Sequence, residues 1–343
     1  MKALVLEDYM KLVFKDVPDP APGPLEVLVE IRAAGICGSD VHGMDGSTGR
    51  RIPPLIMGHE ASGIIRETGK EVTGWKVGDR VTFDSTIYDV VDWYARKGMY
   101  NLSDGRMVLG VSTATFKRDG TYAEYVAVPS HILYRIPENV SFTRAAMAEP
   151  AAVALHAVNI TPVSVNDTAV VTGTGMIGLF LVQMLRLAGC TEIVAVDIDD
   201  DKLVLAEKLG ATIMLNPAKT DIVAEVRNIT CNRGADIAFE AVGTGKAVNS
   251  AISTLRKGGV LTMLGNLSPT VEIPLQAVVT GQLRLQGSCA INGEYGAVLD
   301  LIARDLIDTD ALISAEAPLS GGAEWFDRLY KKEKGLNKVI LIP

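Results

Sequence analysis

Residues Thr168–Asp197 read T-A-V-V-T-G-T-G-M-I-G-L-F-L-V-Q-M-L-R-L-A-G-C-T-E-I-V-A-V-D, and this stretch decides the fold. A β-branched run, Ala169–Thr172, enters Gly173-Thr174-Gly175-Met176-Ile177-Gly178. An apolar helical segment follows, Gly189 stops it, and a second apolar run, Ile193–Val196, ends in Asp197. That is the order of a strand–helix–strand dinucleotide unit. Gly173 permits the tight turn, Gly175 keeps no side chain between the backbone and a pyrophosphate, and Gly178 lets helix and strand pack closely. Met176 and Ile177 open the helix, whose free N–H groups face the phosphates. Asp197 stands where a carboxylate accepts both ribose hydroxyls and repels a 2′-phosphate, which points to NAD rather than NADP. An ordinary glycine-rich turn in an α/β core would leave Asp197 without a task.

Working outward, the doubly wound pattern continues to the C-terminal side. Asp199-Asp200-Asp201-Lys202 caps a helix that Gly210 ends. Lys202 is placed either to reach the adenosine ribose or to sit on a solvated face. Strands are expected at 212–215, 236–240, 259–264 and 283–287, with helices between them such as 246–257. That makes six strands in a parallel sheet. The turns at Val242 and Gly265 end strands on the cofactor side, where backbone would line nicotinamide and ribose. Apolar segments near 277–285 are suited to pairing across a subunit interface, in a dimer or a tetramer.

Bulk composition bounds the rest. The chain has 343 residues, 48% of them hydrophobic, which is enough for two domains with ample cores. A net charge of −8 argues against nucleic acid or an anionic membrane surface as partner. The chain opens on a strand pattern without a signal segment, and no apolar run is long enough to span a membrane. The four cysteines, Cys37, Cys190, Cys231 and Cys289, are scattered, which fits a reducing cytoplasm and not a disulfide framework.

The first 150 residues read as a small β-rich domain with a strand at 27–33 leading into Gly35-Ile36-Cys37-Gly38-Ser39-Asp40-Val41-His42. Then comes Gly58-His59-Glu60-Ala61-Ser62-Gly63. Thiolate, imidazole and carboxylate all suit Zn²⁺, and a catalytic site uses three protein ligands with one position open. On spacing alone, a buried Cys is more often a small hydrophobe and a His beside a Glu more often a satisfied structural pair. Glu149 lies in Ala148-Glu149-Pro150-Ala151 among apolar residues, where an unpaired charge is costly. The residue before a proline is pushed out of the α region, so Glu149 is expected at a break with a helix starting behind it. A cation partner or a helix N-cap role each account for its carboxylate.

Gly58-His59-Glu60-x-x-Gly63 with Gly69 and Val72, and Gly35-x-Cys37-Gly-Ser-Asp-x-His42 before it, resemble the signature of the zinc-containing alcohol dehydrogenases of the medium-chain dehydrogenase/reductase superfamily. With the nucleotide unit, the resemblance runs over essentially the whole chain. It implies a GroES-like catalytic domain at 1–149, a Rossmann NAD-binding domain at 150–287 and a return to the catalytic domain at 288–343. It implies one catalytic zinc on Cys37 and His59, with Glu149 as third ligand directly or through water. Glu60 is then the fourth ligand or one that exchanges with water. Ser39 and His42 fall on the positions that carry the substrate proton toward solvent through the cofactor ribose.

Two departures narrow the resemblance. The positions that carry four structural-zinc cysteines in many relatives read Asp89, Asp92, Ala95 and Ser103 here, so the lobe is expected without its metal. Packing of Val90, Val91, Trp93 and Tyr94 is expected to hold it, and Asp89 and Asp92 are read as solvated surface acids. Where sorbitol-type relatives have an Arg–aromatic pair, this chain has Ala290-Ile291, closer to butanediol dehydrogenases. The resemblance therefore implies an NAD-dependent zinc dehydrogenase of a secondary alcohol, diol or polyol. The alternative is a zinc-free, NADPH-dependent reductase of quinone-reductase type in the same superfamily.

Overall fold

Six short β-rich runs with period-breaking turns become six parallel strands. We label them β1 (Thr168–Thr172), β2 (Glu192–Val196), β3 (Ile213–Leu215), β4 (Ala235–Glu240), β5 (Leu255–Met263) and β6 (Arg284–Gly287). Their order across the sheet is β3-β2-β1-β4-β5-β6, all parallel. β1 is buried at every residue, as a strand covered on both faces must be. A helix follows each of the first five strands: Met176–Leu187, Asp200–Lys208, Ile222–Ile229, Gly245–Thr254 and Leu275–Gly281. The strand order reverses between β1 and β4, and in such sheets ligands bind at the strands' carboxyl ends at that reversal. The expected helix 246–257 stops earlier, at Thr254. Leu255 instead enters the core and pairs with Ala235, which starts β5.

The computed structural model describes residues 1–343 and divides into two units, Met1–Glu149 with Ile291–Pro343, and Pro150–Ala290. The parallel sheet is the second unit. The first is built on the strand Glu26–Gly35, which pairs antiparallel with Glu60–Thr68, Tyr125–Pro129 and Lys338–Ile342. Its buried core takes residues from both ends of the chain, from Leu4 and Val29 to Phe326 and Leu341.

Strand register gathers the site segments at one end of this sheet. Gly35 pairs with Glu60 and with Ile340. Cys37, His59, Glu60 and Lys338 therefore leave the sheet within two residues of the same rung.

Two expectations need correction. The helix break expected at Glu149 lies two residues earlier, at Met147 between the helices Phe142–Ala146 and Ala148–Asn159, which puts Glu149 and Pro150 inside the first turn of the second helix. The first four N–H groups of a helix have no intrahelical partner, so a proline is tolerated there without interrupting it. The lobe after Ile87 is not held by Val90, Val91 and Trp93, which are 56%, 57% and 62% exposed. Polar contacts hold it. Asp92 is no idle surface acid: its carboxylate caps the short helix Trp93–Arg96 by accepting from the N–H groups of Tyr94 and Ala95. No helix is long and apolar enough to cross a membrane.

Candidate functional site

The end of strand Glu26–Gly35 meets the start of strand Glu60–Thr68 with Cys37, His59 and Glu60 side by side. One ligand atom of each lies within 4.8 Å of the others. His59 and Glu60 are buried and Cys37 is half-buried. The space for the Glu60 carboxylate exists because residue 35 is glycine; a Cβ there would stand 2.5 Å from Glu60 Oε2. Glu149 is outside that triplet. Its Oε1 accepts the Ser85 hydroxyl at 3.0 Å, and its carboxyl feels the charges of both His59 and Glu60.

Two buried cations stand beside these groups, and neither was singled out from sequence. Lys338 Nζ, 1% exposed, donates to Glu60 Oε2 at 2.5 Å and to the Ile36 carbonyl at 3.0 Å. Burial would lower its pKa, but the Glu60 carboxylate outweighs that and raises it. Arg51 donates to Asp40 Oδ1 from Nε at 2.8 Å and reaches it from Nη2 at 2.6 Å. Asp40 also accepts from Tyr122 at 2.8 Å. Burial works to raise the Asp40 carboxyl, yet Arg51 and then His59 hold it below the usual range.

Lys338 is matched to Glu60 and Arg51 to Asp40, whereas Cys37 and Glu149 feel Lys338 and His59 by charge without a salt bridge of their own. Burial, reinforced by the Glu60 carboxylate, pushes the Cys37 thiol up. Burial also pushes Glu149 up to about 7, against the pull of His59 and with the push of Glu60. His59 Nδ1 is buried without a hydrogen bond; Asp40 Oδ2, at 3.5 Å, is beyond hydrogen-bond reach but on the side where a ligating histidine takes its outer partner. A thiol, an imidazole whose Nδ1 is turned toward Asp40 and so leaves Nε2 for an ion, and a buried carboxyl are a donor set that a divalent zinc ion fits.

The proposed relay residues lie on the short helix Gly38–Gly43. Ser39 Oγ donates to Cys37 Sγ at 3.3 Å and accepts from Arg51 Nη2 at 3.3 Å. His42 is exposed, and no hydrogen bond joins it to Ser39. Ser39 is thus tied to the ligand cluster and His42 faces solvent.

In the second unit, Gly173 has φ +91°, and a Cβ on Gly178 would stand 1.9 Å from the Gly173 carbonyl oxygen. Gly175 is the N-cap of the helix and faces open space, beside half-buried Met176 and Ile177. Asp197 Oδ2 accepts from Thr174 N at 2.8 Å and Thr174 Oγ1 at 3.1 Å, and Oδ1 from Asp199 N at 3.0 Å. The carboxylate therefore braces the glycine turn. Val242 packs where a Gly173 side chain would be, and Gly243 and Gly265 approach so closely that a Cβ on Gly265 would meet Gly243 N at 2.1 Å. Buried Glu240 holds this junction, with Oε1 accepting from Val242 N at 2.7 Å and Gly243 N at 2.8 Å and Oε2 from Gly243 N at 3.0 Å. Lys202 is half-buried on the helix Asp200–Lys208.

Residues 23–138 match the family model of the alcohol dehydrogenase GroES-like domain, and residues 177–304 that of the zinc-binding dehydrogenases. The chain is 33% identical to D-xylulose reductase A of Aspergillus oryzae over 98% of this chain and 96% of that one. Among solved structures it resembles the 2R,3R-butanediol dehydrogenase of Bacillus subtilis (TM-score 0.90, 31% identity, 100% and 99% of the two chains). It also resembles a zinc-binding dehydrogenase of Sinorhizobium meliloti bound to NADP (TM-score 0.92, 31% identity, 100% and 99%).

The Lys338–Glu60 pair gives a direct test. Lys338→Met in metal-free protein leaves Glu60 buried without a cation and is expected to cost about 3–5 kcal/mol in urea unfolding. Added zinc should restore part of that loss. Unchanged stability in chelator would show that the pair does not hold Glu60.

Proposed function

We propose that this chain, an oxidoreductase that belongs to the zinc-type alcohol and polyol dehydrogenase family of the medium-chain superfamily, interconverts a secondary alcohol, diol or polyol and its ketone with NAD. The observation that carries the reading is the triplet Cys37, His59 and Glu60, whose ligand atoms lie within 4.8 Å of one another, with Glu149 close enough to feel the charges of His59 and Glu60. A single zinc ion held there would act as Lewis acid on the substrate hydroxyl, and a nicotinamide would take the hydride.

The chain's own residues supply the rest. Cys37, His59 and Glu149 hold the ion. Glu60, kept in reserve by Lys338, exchanges in and out of the shell. Ser39 would take the hydroxyl proton and hand it through the cofactor ribose to His42 and so to solvent, so that one proton and one hydride leave the alcohol. Gly173, Gly175, Met176, Ile177 and Gly178 hold the pyrophosphate, Asp197 and Lys202 the adenosine ribose, and Val242 and Gly265 the nicotinamide side. Asp197 and the acids at 199–201 disfavour a 2′-phosphate, although the Sinorhizobium relative is bound to NADP. The relatives, a D-xylulose reductase and a 2R,3R-butanediol dehydrogenase, support a short polyol or diol as substrate.

We propose, too, that two copies associate through β6. It is an edge strand with one side unpaired. The helix before it presents Leu275 and Val279, one turn apart and 66% and 67% exposed.

Three measurements check these readings. Cys37→Ser should lose zinc and NAD-linked turnover over a panel of diols, polyols and secondary alcohols, yet still bind NADH; retained turnover would refute the ligand assignment. No zinc in the wild-type protein together with NADPH preference would instead favour the zinc-free reductase. Asp197→Ala should narrow the preference for NAD over NADP by roughly tenfold; an unchanged ratio would mean that the acid does not read the ribose. Sedimentation should give a dimer or tetramer for the wild type and a smaller species for Leu275→Asp/Val279→Asp; a wild-type monomer would remove the interface.

A further inference from the structure

The lobe that lacks thiolates is tied to the candidate metal site by hydrogen bonds on either side of one backbone turn, Asp84–Thr86. Tyr100, on the single turn Tyr100–Leu102, donates its hydroxyl to Asp84 Oδ2 at 2.7 Å and accepts from Gly293 N at 2.8 Å. Its ring stacks on Tyr88 with centroids 4.4 Å apart. Asn292 Nδ2 donates to the Gly98 carbonyl at 2.7 Å, closing the lobe from the other side. Asp84 is 1% exposed, and its other oxygen accepts from Thr86 N at 2.8 Å. That bond sets a turn through Ser85, the residue whose hydroxyl donates to Glu149 Oε1. The orientation of Asp84 therefore fixes where Ser85 points, and Tyr100 fixes the orientation of Asp84.

We propose that Tyr100 is a positioning residue for the metal ligand Glu149, acting through Asp84 and Ser85, so that the lobe serves as the outer support of the metal centre. The proposal rests on the reading of Glu149 as a ligand. It assigns the lobe a task that needs no metal of its own. A ligating carboxylate has two oxygens, and a hydrogen bond to one of them leaves the other aimed at the ion. Without that bond the carboxylate can rotate, and the ion loses a ligand of fixed direction. The aromatic stack and the Gly293 N–H deny the Tyr100 hydroxyl other orientations, so the restraint reaches the ion from a segment remote in sequence.

The test uses full-length protein, first loaded with zinc and then with cobalt in its place. Tyr100→Phe removes one oxygen and keeps the stack on Tyr88. It should weaken zinc binding about tenfold or more in competition with a chromophoric chelator. It should also shift the visible absorption band of the cobalt form while leaving NADH affinity unchanged. Ser85→Ala should give the same loss, and the double variant no greater loss than either single one, because all three cut one chain. Trp93→Ala, on the exposed face of the lobe, should leave zinc affinity and the cobalt spectrum as in the wild type. Lowered thermal stability of Tyr100→Phe with unchanged zinc affinity and spectrum would overturn the proposal, as would additive losses in the double variant. Absence of zinc binding in the wild type would instead refute the ligand assignment, and the positioning role with it.

Discussion

Burying several acidic groups at the end of one strand is the constraint on which the first unit depends. Cys37 feels the charges of Glu60, Asp40 and Glu149, groups that the pairing of Gly35 with Glu60 and the helix starting at Ala148 place near it. A buried charge is tolerated only when paired and hydrogen-bonded. Lys338 answers Glu60 and Arg51 answers Asp40. The thiol of Cys37, the imidazole of His59 and the carboxyl of Glu149 have no such partner, and a divalent ion would resolve that arrangement. The same pairings explain why residues from the last strand of the chain sit beside ligands from its first sixty residues.

The second unit follows a different rule: close approach of backbone. Gly173, Gly178, Gly243 and Gly265 meet at distances where no Cβ fits. Asp197 and Glu240 brace the resulting turns through backbone N–H groups. A rigid cradle of this kind presents N–H groups to phosphate without reorganisation.

The fold class was legible because its signals are local. β1 to β4 announce themselves as short apolar runs, as does the second half of β5, and Gly173–Gly178 encodes its own turn. The site was less legible where it depends on register. Nothing near Lys338 marks a lysine that will lie beside Glu60, because the contact exists only once Lys338–Ile342 pairs with Glu26–Gly35. Asp40 was visible only as a neighbour of Cys37, and its bond to Arg51 depends on a loop closing over it. Apolar residues at 90, 91 and 93 suggested packing. The lobe is too small to bury them, and it is held by Asp92, Tyr100 and Asp84. At Glu149 the local proline rule found the break between two helices but placed it two residues late, because a helix accepts proline within its first turn.

The central claim is that one zinc ion is bound by a single thiolate with nitrogen and oxygen donors. X-ray absorption at the zinc edge on protein purified without chelator tests it most directly. The expected spectrum has one sulfur at about 2.3 Å and the remaining donors, nitrogen and oxygen, at about 2.0–2.2 Å, with one ion per chain. A shell of several sulfurs, a shell with none, or protein free of zinc would contradict the account.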